Sequence, residues 1–143
     1  MNIPAGLRDE WGALKATVMG IVAVVIGYYV LAYLSTVVQE YWLGGVTYLK
    51  SSRTDLILAG IFTPLSGGPG GFVAGFIGRR APLVHGLALA SIIGIETGYL
   101  YVKRVVDGPL WFEGGAGLAL ASCVMLGAWG ARHLLLTRRT GAK

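Results

Sequence analysis

A long stretch without charge limits what this chain can fold into. Residues 16–38 read "ATVMGIVAVVIGYYVLAYLSTVV" and contain no acidic or basic side chain. A helix of about 20 apolar residues matches the hydrocarbon core of a bilayer, which is roughly 30 Å thick. Because no water reaches that core, a spanning segment has to pair its backbone polar groups internally, as an α-helix does. The stretch therefore predicts a transmembrane helix.

Three more apolar stretches follow, and together they predict an all-α membrane protein. We place four spans at about 14–38, 55–79, 81–103 and 114–136, within a single domain of residues 1–143. The composition agrees, because 55% of the residues are hydrophobic and only 13% are charged. Soluble domains have a charged share of about 25%. A soluble helical core is disfavoured, since a small fold leaves much of its surface in water.

The basic residues predict the orientation in the membrane. The Lys and Arg residues divide eight to four between the two sides. The richer side holds the N-terminus, the turn between spans two and three, and the segment after span four. Its proposed anchors are Arg79, Arg80, Arg132, Arg138 and Arg139. The positive-inside rule places this side, with both termini, in the cytoplasm. We therefore attribute the net positive charge to membrane topology and expect no nucleic-acid partner.

Glycine makes up 23 of the 143 residues, and its spacing predicts close helix packing. Every span carries small residues four apart, which therefore share one helical face. In the last three spans they are Gly67, Gly71, Gly75, Gly86, Ala90, Gly94, Gly98, Gly115, Ala119 and Gly127. Lipid provides little hydrophobic drive between helices, so close backbone approach across small residues supplies the van der Waals contact. We therefore predict a bundle packed through these ridges.

Short similarities raise a second hypothesis about the fold, an internal repeat. "GALKATVMGI" at 12–21 resembles "GLALASIIGI" at 86–95, and "GGPG" at 67–70 resembles "GGAG" at 114–117. Spans one and two would then be one helical hairpin, and spans three and four a parallel copy of it. Chance matches in glycine-rich apolar sequence are the alternative.

The stretch "TPLSGGPGGFVAGFIGRR" at 63–80 has the composition of a phosphate-binding loop. It lacks a GxxxxGK[ST] motif, and Val73 stands where GxGxxG requires its last glycine. Pro64 and Pro69 each remove a backbone donor, so we predict a kink or local unwinding near 64–70. In a membrane such a break is found where protein or a water-filled cavity pairs the freed backbone groups.

Glu96 is the acid that lies well inside a predicted span, roughly 10 Å from its outer end at 1.5 Å per residue. An ionisable residue at such depth is a functional-site hypothesis. The same level of the other spans holds Tyr29, Tyr33, Thr63 and Ser122. One hypothesis is a proton- or cation-coupled site that uses the helix break. The other is a glutamate, partly neutralised by Lys103, that locks the bundle or docks a partner.

Catalytic and cofactor sites are not predicted. His85 and His133 have matching depths, which allows haem ligation geometrically. Two histidines near an arginine-rich interface are more simply snorkelling or capping residues, so no cofactor is expected. No Ser/His/Asp group, carboxylate pair or metal-ligand cluster shares one membrane depth. We therefore expect a protein that is not an enzyme.

Two segments resemble small, uncharacterised four-helix bacterial integral membrane proteins. They are "GGFVAGFIGRRAPLVHGLALA" at 70–90 and "LGAWGARHL" at 126–134. The shared features are a Gly/Ala-rich second span, an Arg-to-His hairpin, and an Ala-Trp pair before the last basic residue of the fourth span. The resemblance covers about residues 60–136. It implies a four-helix architecture in the bacterial cytoplasmic membrane, and it implies no activity.

Two functions follow as hypotheses. The first is an accessory or structural subunit that packs within a larger membrane complex through its small-residue ridges. The alternative is a small homo-oligomeric transporter or channel that uses Glu96 and the break around Pro64–Pro69. The expected partners are membrane lipids and other transmembrane subunits or further copies of the chain.

Overall fold

Five α-helices and one π-helical segment make up most of the computed structural model. The structure describes residues 5–106 and 108–140, and for 5–10 and 139–140 it describes the backbone only. The α-helices are α1 (Ala5–Thr36), α2 (Arg53–Leu65), α3 (Gly67–Ile77), α4 (Pro82–Val102) and α5 (Leu110–Thr140). The π-helical segment Val37–Trp42 extends α1. No β-strand occurs among these described residues.

Four helical segments of the described chain are long and apolar enough to cross a membrane. They are Trp11–Trp42, Arg53–Ile77, Pro82–Val102 and Leu110–Arg138. The predicted all-helical fold with four candidate spans is therefore confirmed. The second span consists of two helices, α2 and α3, separated at Ser66. The fourth begins at Leu110 rather than near 114, so Glu113 lies in its first turn.

Local sequence explains where the helices begin. Ser52 caps α2, since its side chain accepts the backbone N–H of Asp55 while the Asp55 carboxylate accepts the N–H of Ser52. This reciprocal pairing satisfies two donors that a helix start leaves open. Pro82 occupies the first residue of α4, where its missing N–H costs no helical bond. The segment 39–54, which the sequence did not assign, holds the end of the π-helical segment and a turn at Gly44 and Gly45, both with positive φ.

The helix α3 lies at the centre of the bundle, between α1 and α5, and α4 packs against α5. The core is formed by Leu31, Ala74, Leu89, Ile93 and Val124. We call the end that carries the 43–52 segment the loop end, and the end that carries the α3–α4 turn the turn end.

Glycines of α3 meet the backbone of α5 directly. A Cβ at Gly67 would lie 2.7 Å from the carbonyl oxygen of Leu120, and one at Gly71 would overlap the carbonyl of Val124. A Cβ at Gly75 would lie 3.2 Å from the Cα of Ala128. This side of α3 therefore packs as the small-residue ridge requires.

The opposite side of α3 makes a matching contact with α1. A Cβ at Gly70 would lie 2.7 Å from the Cβ of Leu31, and one at Gly27 would lie 2.7 Å from the Cβ of Ala74. Because Gly27 and Gly70 have no side chains, each lies next to the backbone carbonyl of the other, and the two backbones approach closely. The glycines thus allow α3 to contact two helices at once.

The remaining ridge residues divide into packed and open positions. Cβ atoms at Gly86 and Gly127 would overlap Ala128 and the Gly68 carbonyl, respectively. Ala90 packs against the core and Ala119 is half-buried. At Gly94, Gly98 and Gly115 an added Cβ would meet nothing within 4 Å. The contacts expected of these three glycines are thus not made inside the chain, because their faces of α4 and α5 point away from the core.

The internal repeat stays a prediction. In the proposed alignment Gly20 corresponds to Gly94. A Cβ at Gly20 would lie 2.8 Å from the Nε2 of His85, whereas one at Gly94 would have open space. The two positions therefore have different surroundings.

We predict that Gly71→Ala destabilises the bundle by about 1–3 kcal/mol, the cost of overpacking a tight core. The added methyl group would overlap the carbonyl of Val124, a backbone atom that cannot move independently of α5. The measurement is reversible unfolding in mixed detergent micelles, followed by circular dichroism. Gly94→Ala is the matched control and should unfold as the parent does, because its methyl group meets open space. Equal effects of the two substitutions would contradict the packing described for α3 and α5.

Candidate functional site

The predicted helix break lies at Ser66. Pro64 stands in the last turn of α2, and Pro69 is the third residue of α3, where a helix leaves its N–H groups without intrahelical acceptors. Ser66 itself keeps right-handed helical angles, with φ −60° and ψ −24°. The break is therefore a one-residue interruption and not an unwound segment.

Two serines pair the polar groups at the break. The Ser66 hydroxyl donates to the carbonyl of Thr63 at 2.6 Å, and its oxygen lies 2.6 Å from the hydroxyl of Ser35 on α1. Since Ser66 has one proton and gives it to Thr63, Ser35 is the donor between the serines. Ser66 is only 5% exposed, so this pairing prevents an unsatisfied polar group in the bundle.

A cavity adjoins the break on the loop end. Two connected spaces of about 360 Å³ and 150 Å³ share the lining residues Gln39, Thr63, Leu100, Val106, Glu113 and Ala116. The smaller space also reaches Pro64 and Thr97. Gln39 donates from its Nε2 to the Thr63 hydroxyl at 3.4 Å. This outer cavity therefore places Glu113, Gln39 and the two threonines Thr63 and Thr97 beside the broken span.

Glu96 lies elsewhere, between α4 and α1. The hydroxyl of Tyr28 is 3.0 Å from each carboxylate oxygen of Glu96. Glu96 is exposed on the surface of the bundle, and Tyr28 is half-buried. The hydrogen bond gives the acid a polar partner at a depth where water is scarce. It joins the first span to the third.

The other residues of the predicted polar site do not gather around Glu96. Tyr29 and Tyr33 are 69% and 70% exposed on α1. The Ser122 hydroxyl donates to the Leu118 carbonyl of its own helix at 2.8 Å. Thr63 belongs to the outer cavity. Equal depth in the membrane did not imply contact, because these side chains point to different sides of their helices.

The two histidines have separate environments. The ring of His85 sits against Gly20 and Gly78, with Nδ1 2.8 Å from the Ala81 carbonyl. His133 is exposed on α5, where its ring centroid lies 6.0 Å from that of Trp129. The described residues contain no group of three or more His, Cys, Asp or Glu side chains that could hold a metal ion.

The proposed anchor residues lie at the turn end and along the last turns of α5. Arg79, Arg80, Arg132 and Arg138 are all exposed. The Arg79 guanidinium carbon stands 5.3 Å from the centre of the Phe76 ring, a cation–π contact. The side chain of Arg139 lies outside the described residues.

A groove runs between α4 and α5 on the outside of the bundle. It has a volume of about 570 Å³, and its walls include Gly94 and Gly98 from α4 and Gly114, Gly117 and Ala121 from α5. Most of its surface is apolar. The missing side chains of the glycines create the space, so the α4–α5 groove is a direct product of the small-residue pattern.

Tyr28, Ser35, Ser66 and Glu113 were not among the predicted site residues. Tyr28 and Ser35 are seven residues apart on α1 and therefore share a helical face. This shared face is the sequence pattern that could have indicated both residues. Ser66 lies between two prolines, which lack backbone N–H donors, so its hydroxyl can donate to a backbone carbonyl that would otherwise be unpaired. Glu113 was assigned to a loop because span four was predicted to begin near 114, whereas α5 begins at Leu110.

Comparison of the chain with protein-family models, with curated proteins and with solved structures gives no match. The resemblance to small four-helix bacterial membrane proteins therefore stays a prediction.

We predict that Tyr28 and Glu96 are energetically coupled. In a double-mutant cycle of Tyr28→Phe and Glu96→Gln, the unfolding free energies should show a coupling of about 0.6 kcal/mol, typical of hydrogen bonds between membrane helices. The readout is equilibrium unfolding in mixed micelles.

Tyr33→Phe provides the matched control for this cycle. Tyr33 is on the same helix and is 70% exposed, so its cycle with Glu96→Gln should give no coupling. Equal coupling for Tyr28 and Tyr33 would contradict the hydrogen bond.

Proposed function

We propose that this protein is a non-enzymatic integral membrane protein that serves as an accessory or structural subunit of a larger complex in the bacterial cytoplasmic membrane. The observation that carries the proposal is the α4–α5 groove, whose glycine walls make no close contact within the chain at Gly94 and Gly98. Membrane helices associate mainly through such small-residue surfaces.

The shape of the groove supports a helix as its occupant. Gly94 and Gly98 are one helical turn apart, about 6 Å along the axis, and both have open space where a Cβ would point. A straight row of missing side chains lets a second backbone approach over several residues. The apolar surface of the groove suits the aliphatic side chains of a membrane-spanning partner.

The exposed Glu96–Tyr28 pair supports the same role. A carboxylate on the outer surface of a span is costly in hydrocarbon, and one hydroxyl leaves some of its acceptor capacity unused. A partner helix with a polar or basic side chain would complete its bonding. The pair lies on the α1 side of α4, so it would mark a contact separate from the α4–α5 groove.

The distribution of basic residues supports the cytoplasmic membrane and a cytoplasmic location for both termini. Arg79 and Arg80 end the second span, and Arg132 and Arg138 lie in the last turns of α5. The positive-inside rule assigns this end to the cytoplasm.

We predict that filling the groove removes the partner. Gly94→Ile together with Gly98→Ile should lower recovery of the complex by roughly tenfold, a loss of about 1.4 kcal/mol in association. The Cβ atoms of both new side chains would meet nothing within 4 Å inside the chain, and both positions are exposed, so the fold should persist. The measurement is purification from native membranes in mild detergent, with size analysis and mass spectrometry of the bound proteins.

Gly115→Ile is the control, because Gly115 is equally open but is not among the described residues that line the groove. It should retain the partner. Migration of the unaltered protein as a monomer or simple homodimer would contradict the accessory role.

A second candidate function is a small homo-oligomeric transporter or channel. The observation that favours it is the outer cavity, which reaches the interrupted span at Pro64 and Thr63. Broken helices beside a polar cavity are common at transport sites near the bilayer midplane. Assembly of several copies would be needed, since four helices packed on glycine contacts leave little room for a pathway of their own.

We predict that, if this second function holds, Glu96→Gln removes the pH dependence of ion flux. In this hypothesis Glu96 is the coupling residue, although it lies outside the outer cavity, and the Tyr28 hydroxyl donates to it from α1. The measurement is proton and potassium flux into vesicles that contain the purified protein. Glu40→Gln, at an exposed acid of the π-helical segment, should leave the pH dependence unchanged. An unaltered profile in the Glu96 variant would remove this residue from any coupling role.

A further inference from the structure

A basic pocket at the turn end is independent of both proposed functions. It has a volume of about 290 Å³ and lies between residues 12–20 of α1 and the α3–α4 turn. Lys15 comes from α1, Arg79 and Arg80 from the turn, and His85 from the first turn of α4. No acidic residue is among the described residues that line it.

Small residues of α1 make the space. Gly12, Ala16 and Gly20 lie along one face of α1 and all line the basic pocket. A Cβ at Gly12 would meet nothing within 4 Å, so the pocket is open on this side. Side chains of ordinary size at these positions would fill the volume that now separates Lys15 from the arginines.

His85 keeps the two walls apart. Its Nδ1 donates to the Ala81 carbonyl at 2.8 Å, which fixes the ring across the turn. The other side of the ring meets α1, since a Cβ at Gly20 would be 2.8 Å from Nε2. The imidazole therefore acts as a spacer between α1 and the α3–α4 turn.

The pocket combines a cationic rim with an apolar wall. Met19 and Ile77 contribute that wall, and the spans begin and end at this level, with Ile77 closing α3 and Pro82 opening α4. A ligand held here thus has one part at the membrane surface and another beside the hydrocarbon. Arginine forks bind phosphate oxygens through paired N–H groups.

We propose that the basic pocket binds the phosphate headgroup of an anionic phospholipid, with the first carbons of an acyl chain along Met19 and Ile77. Basic pockets between transmembrane helices are suited to acidic headgroups because the local positive field adds to the direct hydrogen bonds. A free phosphate ion shares the headgroup chemistry but would leave the apolar wall uncovered. The membrane lipid is therefore the favoured source of the phosphate.

The experiment measures lipid binding to the protein in nanodiscs. The nanodiscs consist of phosphatidylcholine and contain a small fraction of spin-labelled phosphatidylglycerol as the probe. Association of this probe is measured for the unaltered protein and for Arg79→Gln with Arg80→Gln. Because the double substitution removes two cations that attract the headgroup, it should weaken association roughly tenfold or more. Spin-labelled phosphatidylcholine should bind the parent more weakly than phosphatidylglycerol does.

Two further variants separate the pocket from general surface charge. Arg132→Gln with Arg138→Gln removes the same charge from exposed residues of α5 that do not line the pocket, and it should leave association unchanged. Gly12→Leu adds bulk to the pocket without altering charge, and its Cβ meets nothing within 4 Å, so it should weaken association. Circular dichroism confirms that each variant is folded.

Three results would overturn the proposal. The first is an equal loss in the α5 double variant, which would assign the binding to surface charge. The second is unchanged binding in Gly12→Leu, which would show that the lipid does not enter the pocket. The third is complete displacement of the probe by millimolar inorganic phosphate, which would assign the pocket to the free ion.

Discussion

The close approach of α3 to two neighbours at once is the contact on which the bundle depends. Glycines on one side of α3 meet the backbone of α5, and Gly70 on the other side meets α1 at Gly27 and Leu31. In a membrane no hydrophobic force brings helices together, so dispersion between closely packed backbones has to do so. Side chains at these positions would push α1 and α5 away from the central helix, and both the outer cavity and the basic pocket are formed between helices held by these contacts.

The central position of α3 also explains why the second span is interrupted without being unwound. Gly67 contacts α5 immediately after the break, so the chain has to resume its helix there. Pro64 and Pro69 lack backbone donors, the Ser66 hydroxyl donates to the Thr63 carbonyl, and the Ser35 hydroxyl pairs with that of Ser66. The polar groups described at the break thus have partners within the protein, and the adjoining cavity is lined by Gln39, Thr63 and Glu113 among others.

The depth of Glu96 in its span could be predicted from the sequence, but its hydrogen-bond partner could not. Its position along span three followed from 1.5 Å per residue, and that count correctly put it inside the span Pro82–Val102. The residue count did not identify its hydrogen-bond partner, because depth in the membrane does not give the direction in which a side chain points. Tyr28 faces α4, whereas its neighbour Tyr29 is 69% exposed. A single residue along a helix turns the side chain by about 100°, which is enough to separate a partner from a surface residue.

The sequence by itself determined the helical class, the four apolar spans and the small-residue faces, because these follow from composition and from the period of a helix. It also located the break, since proline lacks a backbone donor wherever it stands. Only the tertiary structure decided which glycines are packed and which are open, as at Gly71 and Gly94. The pattern of small residues is the same in both cases. What differs is which helix lies opposite, and that is decided by the arrangement of all the helices together.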